Sequence, residues 1–161
     1  MEGFWSTLVI NAAENKHITI ADVADAFLKA NMEDVKLQGP AVDVLLKINN
    51  NRYKSYVIKK GKNKVLYFKL LKTMYGTLKA PLLWFMLFAN TLKEEGFDIN
   101  SYDNYVANKT INDKFTIFWY VDDIKFSHKD KQVVEDIIEK IENKFDKMSI
   151  AHENVQKYIW G

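Results

Sequence analysis

Residues 115–127 read FTIFWYVDDIKFS, two β-prone runs with a pair of carboxylates between them. The aromatic and β-branched flanks predict strands over Phe115–Val121 and Ile124–His128. Like charges set side by side in apolar company are costly to desolvate, and a sequence keeps them there because they face water in a turn or because a cation sits against them. The turn reading draws little support from the pair itself. A two-residue hairpin loop normally wants glycine at its second place, so Asp122-Asp123 as turn residues implies backbone strain or a longer loop.

Working outward, HITIAD at His17 to Asp22 alternates with β-branched residues and predicts a short strand ending in an acid. Asp22, Asp122 and Asp123 are then three carboxylates at strand ends, an oxygen donor set that favours magnesium bound together with a substrate's phosphates. Asp25 to Met32 predicts a helical turn, and Pro40 to Ile48 a helix with proline in its first turn. YKSYVIKK and KVLYFKLL predict a hairpin about Gly61-Lys62-Asn63. Ala80 to Glu95, with Pro81 at its start and Gly96 past its end, predicts a buried helix. Tyr105 to Ile111 predicts one more strand. Asp130 to Asp146 predicts an amphipathic helix capped by Asp130. Phe4, Leu8, Ile10 and Ala13 fit a first helix over residues 3–15, and MSIAHENVQKYIWG a strand or two at the end. The expected architecture is α+β: a small antiparallel sheet backed by the helices near 3–15, 80–95 and 130–146.

Composition narrows the classes. The 161 residues are 48% hydrophobic and 27% charged, too apolar for a disordered chain. No uncharged apolar run reaches the length of a membrane span, and the first residues lack the basic start of a secretory signal. With no cysteine there is no disulfide, thiolate zinc site or thiol nucleophile. An intracellular home is compatible with that. Residues 1–80 carry 13 Lys and Arg against 7 Asp and Glu, and residues 81–161 carry 10 against 14, so +6 and −4 make up the formal +2. No acid lies between Asp43 and Glu94, an interval with eleven basic residues. Such a block, with Lys59, Lys60, Lys62 and Lys64 at its hairpin, suits a polyanion such as nucleic acid; a solvated lysine-rich hairpin is the plainer alternative.

Three segments together resemble a known family. Tyr120-Val121-Asp122-Asp123 between apolar strands resembles the signature of reverse transcriptases, and Asp22-Val23-Ala24-Asp25-Ala26-Phe27 resembles their first catalytic motif. Leu71 to Phe85, LKTMYGTLKAPLLWF, is similar to the copia-type segment LYGLKQAPRxWF. The order and separations agree from about Phe4 to Tyr158, so the chain is identified as a member of the copia-type retrotransposon reverse transcriptases. The resemblance implies a single palm-like domain and two-metal nucleotidyl transfer to a primer 3′ hydroxyl. Asp22, Asp122 and Asp123 would hold two Mg2+ ions, with Mn2+ as an alternative. Phe27 would pack beneath the incoming sugar, Asp25 would stand at the triphosphate pocket, and the lysines would contact template and primer phosphates. Implied partners are an RNA or DNA template with its primer, deoxynucleoside triphosphates and other polyprotein domains, with no membrane.

Departures from the family pattern shape the expectation. Only 21 residues precede Asp22, so fingers and thumb are expected to be largely missing and polymerisation to need other parts. Lys79 stands where glutamine is usual and Leu82 where arginine is usual. At the primer-holding strand pair, His152 and Glu153 replace arginine and glycine. No catalytic role falls to His17, His128 or His152. The alternatives are a decayed or domesticated remnant that binds nucleic acid without catalysis, and an unrelated small α/β interaction domain.

Overall fold

A computed structural model describes residues 2–32 and 34–153. Its larger layer is a six-stranded sheet in the order β5-β6-β7-β8-β1-β9, built from β1 (His17–Asp22), β5 (Asp98–Ile99), β6 (Val106–Ile111), β7 (Asp113–Tyr120), β8 (Asp123–His128) and β9 (Ser149–Glu153). Every neighbouring pair is antiparallel. A smaller sheet, β2-β4-β3, joins β2 (Asp34–Gln38), β3 (Val57–Lys60) and β4 (Asn63–Lys69). The α+β architecture and the antiparallel sheet are as expected.

Two helices cover one face of the large sheet. α5 (Ala80–Glu94) is apolar on nearly all sides and turns Trp84, Phe88, Ala89 and Leu92 inward. It stops at Gly96, whose φ of 79° allows the Phe97 N–H to reach Leu92 O and the Gly96 N–H to reach Lys93 O, the paired bonds of a Schellman end. α6 (Lys131–Phe145) buries Val134, Ile137, Ile138, Ile141 and Phe145 at helical spacing, and the Asp130 carboxylate caps it by accepting from the Gln132 N–H at 2.9 Å. Against them the sheet presents Ala21, Ala107, Phe115, Ile117, Trp119, Ile124 and Phe126, all buried. Alternation along each strand sends the intervening residues to the other face.

That other face corrects one expectation. α1 (Glu2–Ala13) lies across it rather than backing the core with α5 and α6: Thr7 on α1 accepts a hydrogen bond from the Lys125 ammonium, and Asn11 is buried there. Trp5, Val9 and Ile10 remain exposed, so the broad apolar stripe of α1 does not select a face. Burial pushes the Lys125 ammonium down to about 7. His128 is buried, stacked on Phe115 with ring centres 5.5 Å apart and bonded at both ring nitrogens, a satisfied interior residue.

The smaller sheet brings two more corrections. β2 was not expected; DVKLQ is short and carries two charges, yet it pairs with β4 from Asp34↔Lys69 to Gln38↔Val65. Residues 53–56 are helical rather than extended: α4 (Asn50–Tyr53) follows α3 (Pro40–Ile48), with the Asn49 side chain accepting from the Arg52 N–H at 3.0 Å, and a 3-10 turn spans Lys54–Tyr56. The hairpin then turns on Gly61-Lys62, since Lys60 pairs with Asn63. In the closing segment β9 pairs with β1, whereas 154–161, the rest of the expected primer-holding strands, lies outside the described residues.

Candidate active site

Asp22 ends β1, and its partner across the β1–β8 ladder is Asp123. Directly opposed residues of an antiparallel pair stand about 4.5–5.5 Å apart at Cα and point to the same face. Ala21 and Ile124, the preceding pair, point into the core, so the two acids share the face away from α5 and α6. On the far side of Asp22 the β1–β9 register slips between Ile20 and Ala21, a bulge of the kind that re-aims side chains beside functional sites.

The hairpin between β7 and β8 pairs Tyr120 with Asp123, so its two turn residues are Val121 and Asp122. The turn is therefore not Asp122-Asp123: one acid sits at the tip and the other in the ladder. Val121 has φ 56°, a position for glycine in a two-residue turn and a steric outlier for a β-branched residue. Such a conformation costs about 1–3 kcal/mol and persists only where the surroundings enforce it. Two tertiary hydrogen bonds do so. The Trp84 indole N–H donates to Val121 O at 2.5 Å, and the Val23 N–H donates to Asp122 O at 3.0 Å. The second of these ties the tip directly to the residue after Asp22.

The charges report the same proximity. Partial burial, then the carboxylates of Asp122 and Asp123, hold the Asp22 carboxyl above its ordinary range. Asp25 is exposed, with φ 55° at the start of α2 (Ala26–Lys29), a conformation that aspartate tolerates. Phe27, the second residue of α2, is half-buried against the core. Its ring meets Tyr75, centroids 4.8 Å apart. Burial first, then the charges of Asp122, Asp25 and Asp22, raise the Tyr75 hydroxyl. The loop bearing it is pinned to α2: Thr73 N–H donates to Ala30 O at 3.0 Å, the Thr73 hydroxyl to Phe27 O, and the Lys72 ammonium to Lys29 O at 2.9 Å.

Among the described residues no three acids or histidines are drawn tightly enough to cage a metal ion unaided. Magnesium is commonly held by one or two carboxylates plus substrate phosphates and water, a mode that does not require such a cage. Carboxylates are the hard, anionic donors such an ion needs, and Asp22 is the one whose proton affinity its neighbours raise. Asp22, Asp122 and Asp123 thus come together, with Asp25 and Phe27 on the adjoining segment. Lys59, Lys60, Lys62 and Lys64 sit apart, on the β3–β4 hairpin. Lys64 is engaged by Asp43 at 2.6 Å and Lys60 donates to the Tyr67 hydroxyl at 3.2 Å.

Sequence reasoning passed over Tyr75, Trp84 and Val121 as site residues. Tyr75 and Trp84 lie inside the quoted LKTMYGTLKAPLLWF segment, but nothing in their spacing reveals that they reach Phe27 and Val121. Trp84→Phe is expected to keep most of the packing while leaving Val121 O without its donor, at about 1–3 kcal/mol in a urea titration. The same variant should bind divalent metal more weakly, and unchanged metal affinity would deny Trp84 a role in holding the turn.

An antiparallel α+β domain with carboxylates gathered at an interior strand end and a strained hairpin, beside an aromatic pair of which Phe27 is half-buried and Tyr75 exposed, defines the class of site. The family model for the reverse transcriptase (RNA-dependent DNA polymerase) matches residues 6–159, and the chain belongs to that family. RNA-directed DNA synthesis is the family's activity, on a nucleic-acid template with nucleotide substrates and in general with divalent metals. No curated protein and no solved structure matches the chain. No helix among the described residues is long and apolar enough to cross a membrane.

Proposed function

We propose that this domain is a copia-type, palm-like polymerase unit that joins deoxynucleotides to a primer 3′ hydroxyl. The observation that carries the reading is the opposition of Asp22 and Asp123 across β1–β8, with Asp122 on the strained turn bonded to Val23. Asp22 and Asp122 would be the principal holders of two magnesium ions, with Asp123 the third acid and manganese a substitute. When bound, such ions activate the attacking hydroxyl and steady the leaving pyrophosphate. The chain's own residues set the stage for that. Phe27 offers a flat ring beneath the incoming sugar, with no room left for a 2′ hydroxyl, and Tyr75 braces it. Asp25 stands at the edge of the triphosphate pocket. Lys59 and Lys62, on the exposed hairpin, supply sequence-independent phosphate contacts that position template and primer.

Primer extension on an RNA template with magnesium tests this: joined to the fingers and thumb that polymerisation is expected to need, the domain extends and Asp122→Asn does not. No extension by the parent so joined, with nucleic-acid binding intact, would replace the reading by a remnant that binds without catalysis. Binding supplies a separate check. Lys59→Ala with Lys62→Ala is expected to lower the slope of log affinity against log salt by about 1.4–1.8, the value for two lost phosphate contacts. An unaltered slope would remove the hairpin from the interface.

A further inference from the structure

Between α3, α4 and the small sheet lies an open groove of about 500 Å³ lined by Leu45, Arg52, Tyr53, Tyr56, Tyr67 and Phe68. Its aromatic residues are not interior ones: Tyr56 is 65% exposed and Tyr67 43%. Arg52 places its guanidinium 5.9 Å from the Tyr53 ring centre, and the Lys60 ammonium stands 5.7 Å from that of Tyr67. The whole groove falls within the interval from Asp43 to Glu94 that holds no acid, and Asp43 itself is neutralised by Lys64.

Aromatic faces with cations beside them, in a field of one sign, match one class of ligand closely. Unpaired nucleic-acid bases stack on such rings while their phosphates meet the cations, and every base has a face to offer. A duplex keeps its bases stacked on each other and cannot use the rings. A hydrophobic protein segment would gain nothing from the surrounding lysines. We infer that this groove binds single-stranded nucleic acid by stacking unpaired bases on Tyr53, Tyr56 and Phe68, with Tyr67 and Lys60 on the opposite face of the same strand pair.

Chain connectivity gives the site a purpose. β2 follows α2, which carries Phe27, and β4 leads into the 70–79 loop, which carries Tyr75; Lys72 and Thr73 clasp the two segments together. The small sheet that forms the groove is thus joined at both ends to the segments that carry the Phe27–Tyr75 pair. The inference rests on the nucleic-acid reading of the basic block and is independent of polymerase chemistry.

Fluorescence anisotropy with labelled single strands of about 12 nucleotides, without metal, tests it. Three probes are compared: a mixed-sequence strand, an abasic strand of equal length and charge, and a duplex. The mixed strand is expected to bind about tenfold or more tighter than the abasic one. Tyr56→Ala should erase that difference, Tyr56→Trp should keep it, and the salt slope should stay unchanged in both. Because Tyr56 is largely exposed, neither substitution disturbs the core. Equal binding of abasic and mixed strands, or indifference to Tyr56→Ala, overturns the stacking site while leaving phosphate binding by the lysines standing. No binding of any of the three probes overturns the nucleic-acid reading with it.

Discussion

Magnesium or manganese added with a deoxynucleoside triphosphate should raise the melting temperature of the chain by several degrees, and Asp122→Asn should abolish the rise. A ligand that binds only the native state stabilises it by about 2.7 kcal/mol at a hundredfold excess over its dissociation constant. For a domain of this size that is about 5–10 °C. The acids also predict the opposite behaviour without metal. Partial burial and the charges of Asp122 and Asp123 raise the Asp22 carboxyl, so the folded chain holds this proton more firmly than the unfolded one. The native state then binds more protons across that window, and stability falls as pH rises through it. The burial and like charges that raise the Asp22 carboxyl oppose its ionised form in the fold, so Asp22→Asn should slightly stabilise the metal-free protein while losing the metal response. Since cations displace protons from their ligands, the metal-induced gain should fade on acidification at a higher pH than for an ordinary carboxylate. An equal metal response in parent, Asp22→Asn and Asp122→Asn would sink the metal site. In extension assays, loss of a group worth several kcal/mol of charge stabilisation should lower the rate about 10³-fold.

Why such a cluster is kept follows from where its cost is carried. Val121 is strained at φ 56° and Asp22 is held among like charges, yet both are fixed by residues with no charge at all. Trp84 reaches the turn from the middle of α5, where it is 1% exposed and packed edge-on to Phe145 at 5.2 Å. The core therefore does more than bury area: it fixes the carbonyl of a turn residue and, through it, the place of Asp122. Site and core are coupled through the Trp84 indole N–H and the backbone N–H of buried Val23.

Local rules read much of this from the amino-acid order. Pro40 to Ile48 and His17 to Asp22 form elements with the expected bounds, because a proline at the start of one and strict alternation in the other are local signals. The carboxylates at Asp22 and at Asp122-Asp123 were legible as acids out of place among apolar strands. What was not legible depends on contacts distant in sequence. The face chosen by α1 is settled by Lys125 and Thr7, 118 residues apart. β2 exists because β4 offers it a ladder, and alternation alone in DVKLQ is too brief to declare it. The division of the two acids between tip and ladder turns on Val121 accepting a conformation that its own side chain opposes, which only Trp84 and Val23 make tenable. The family resemblance carried the roles of Asp22 and Phe27 further than spacing could, yet it was silent on Tyr75.

Discrimination against ribonucleotides should weaken in Phe27→Ala and, to a smaller degree, in Tyr75→Ala. The reading places the Phe27 ring where a 2′ hydroxyl would have to fit, and opening that space removes a steric clash rather than a favourable contact. Pocket differences of one small group are worth about 1–3 kcal/mol, or about 10–200-fold in relative kcat/KM for deoxy- against ribonucleotides. Tyr75 acts one step back. Its ring leans on Phe27 at 4.8 Å, and its loop is pinned to the same helix by Thr73 and Lys72, so it is a positioning residue for the gate. Tyr75→Phe keeps the ring and should keep the discrimination, whereas Tyr75→Ala should lose part of it. If both act through one ring, the double variant Phe27→Ala with Tyr75→Ala should be no more permissive than Phe27→Ala alone, because two residues in contact do not add. Where extension is too slow to measure, the same ratio is available from the melting-temperature gain with dATP against ATP in manganese. Additive effects of the two substitutions would separate Tyr75 from the gate and leave it acting on the acids through its hydroxyl, in which case Tyr75→Phe would carry the loss instead.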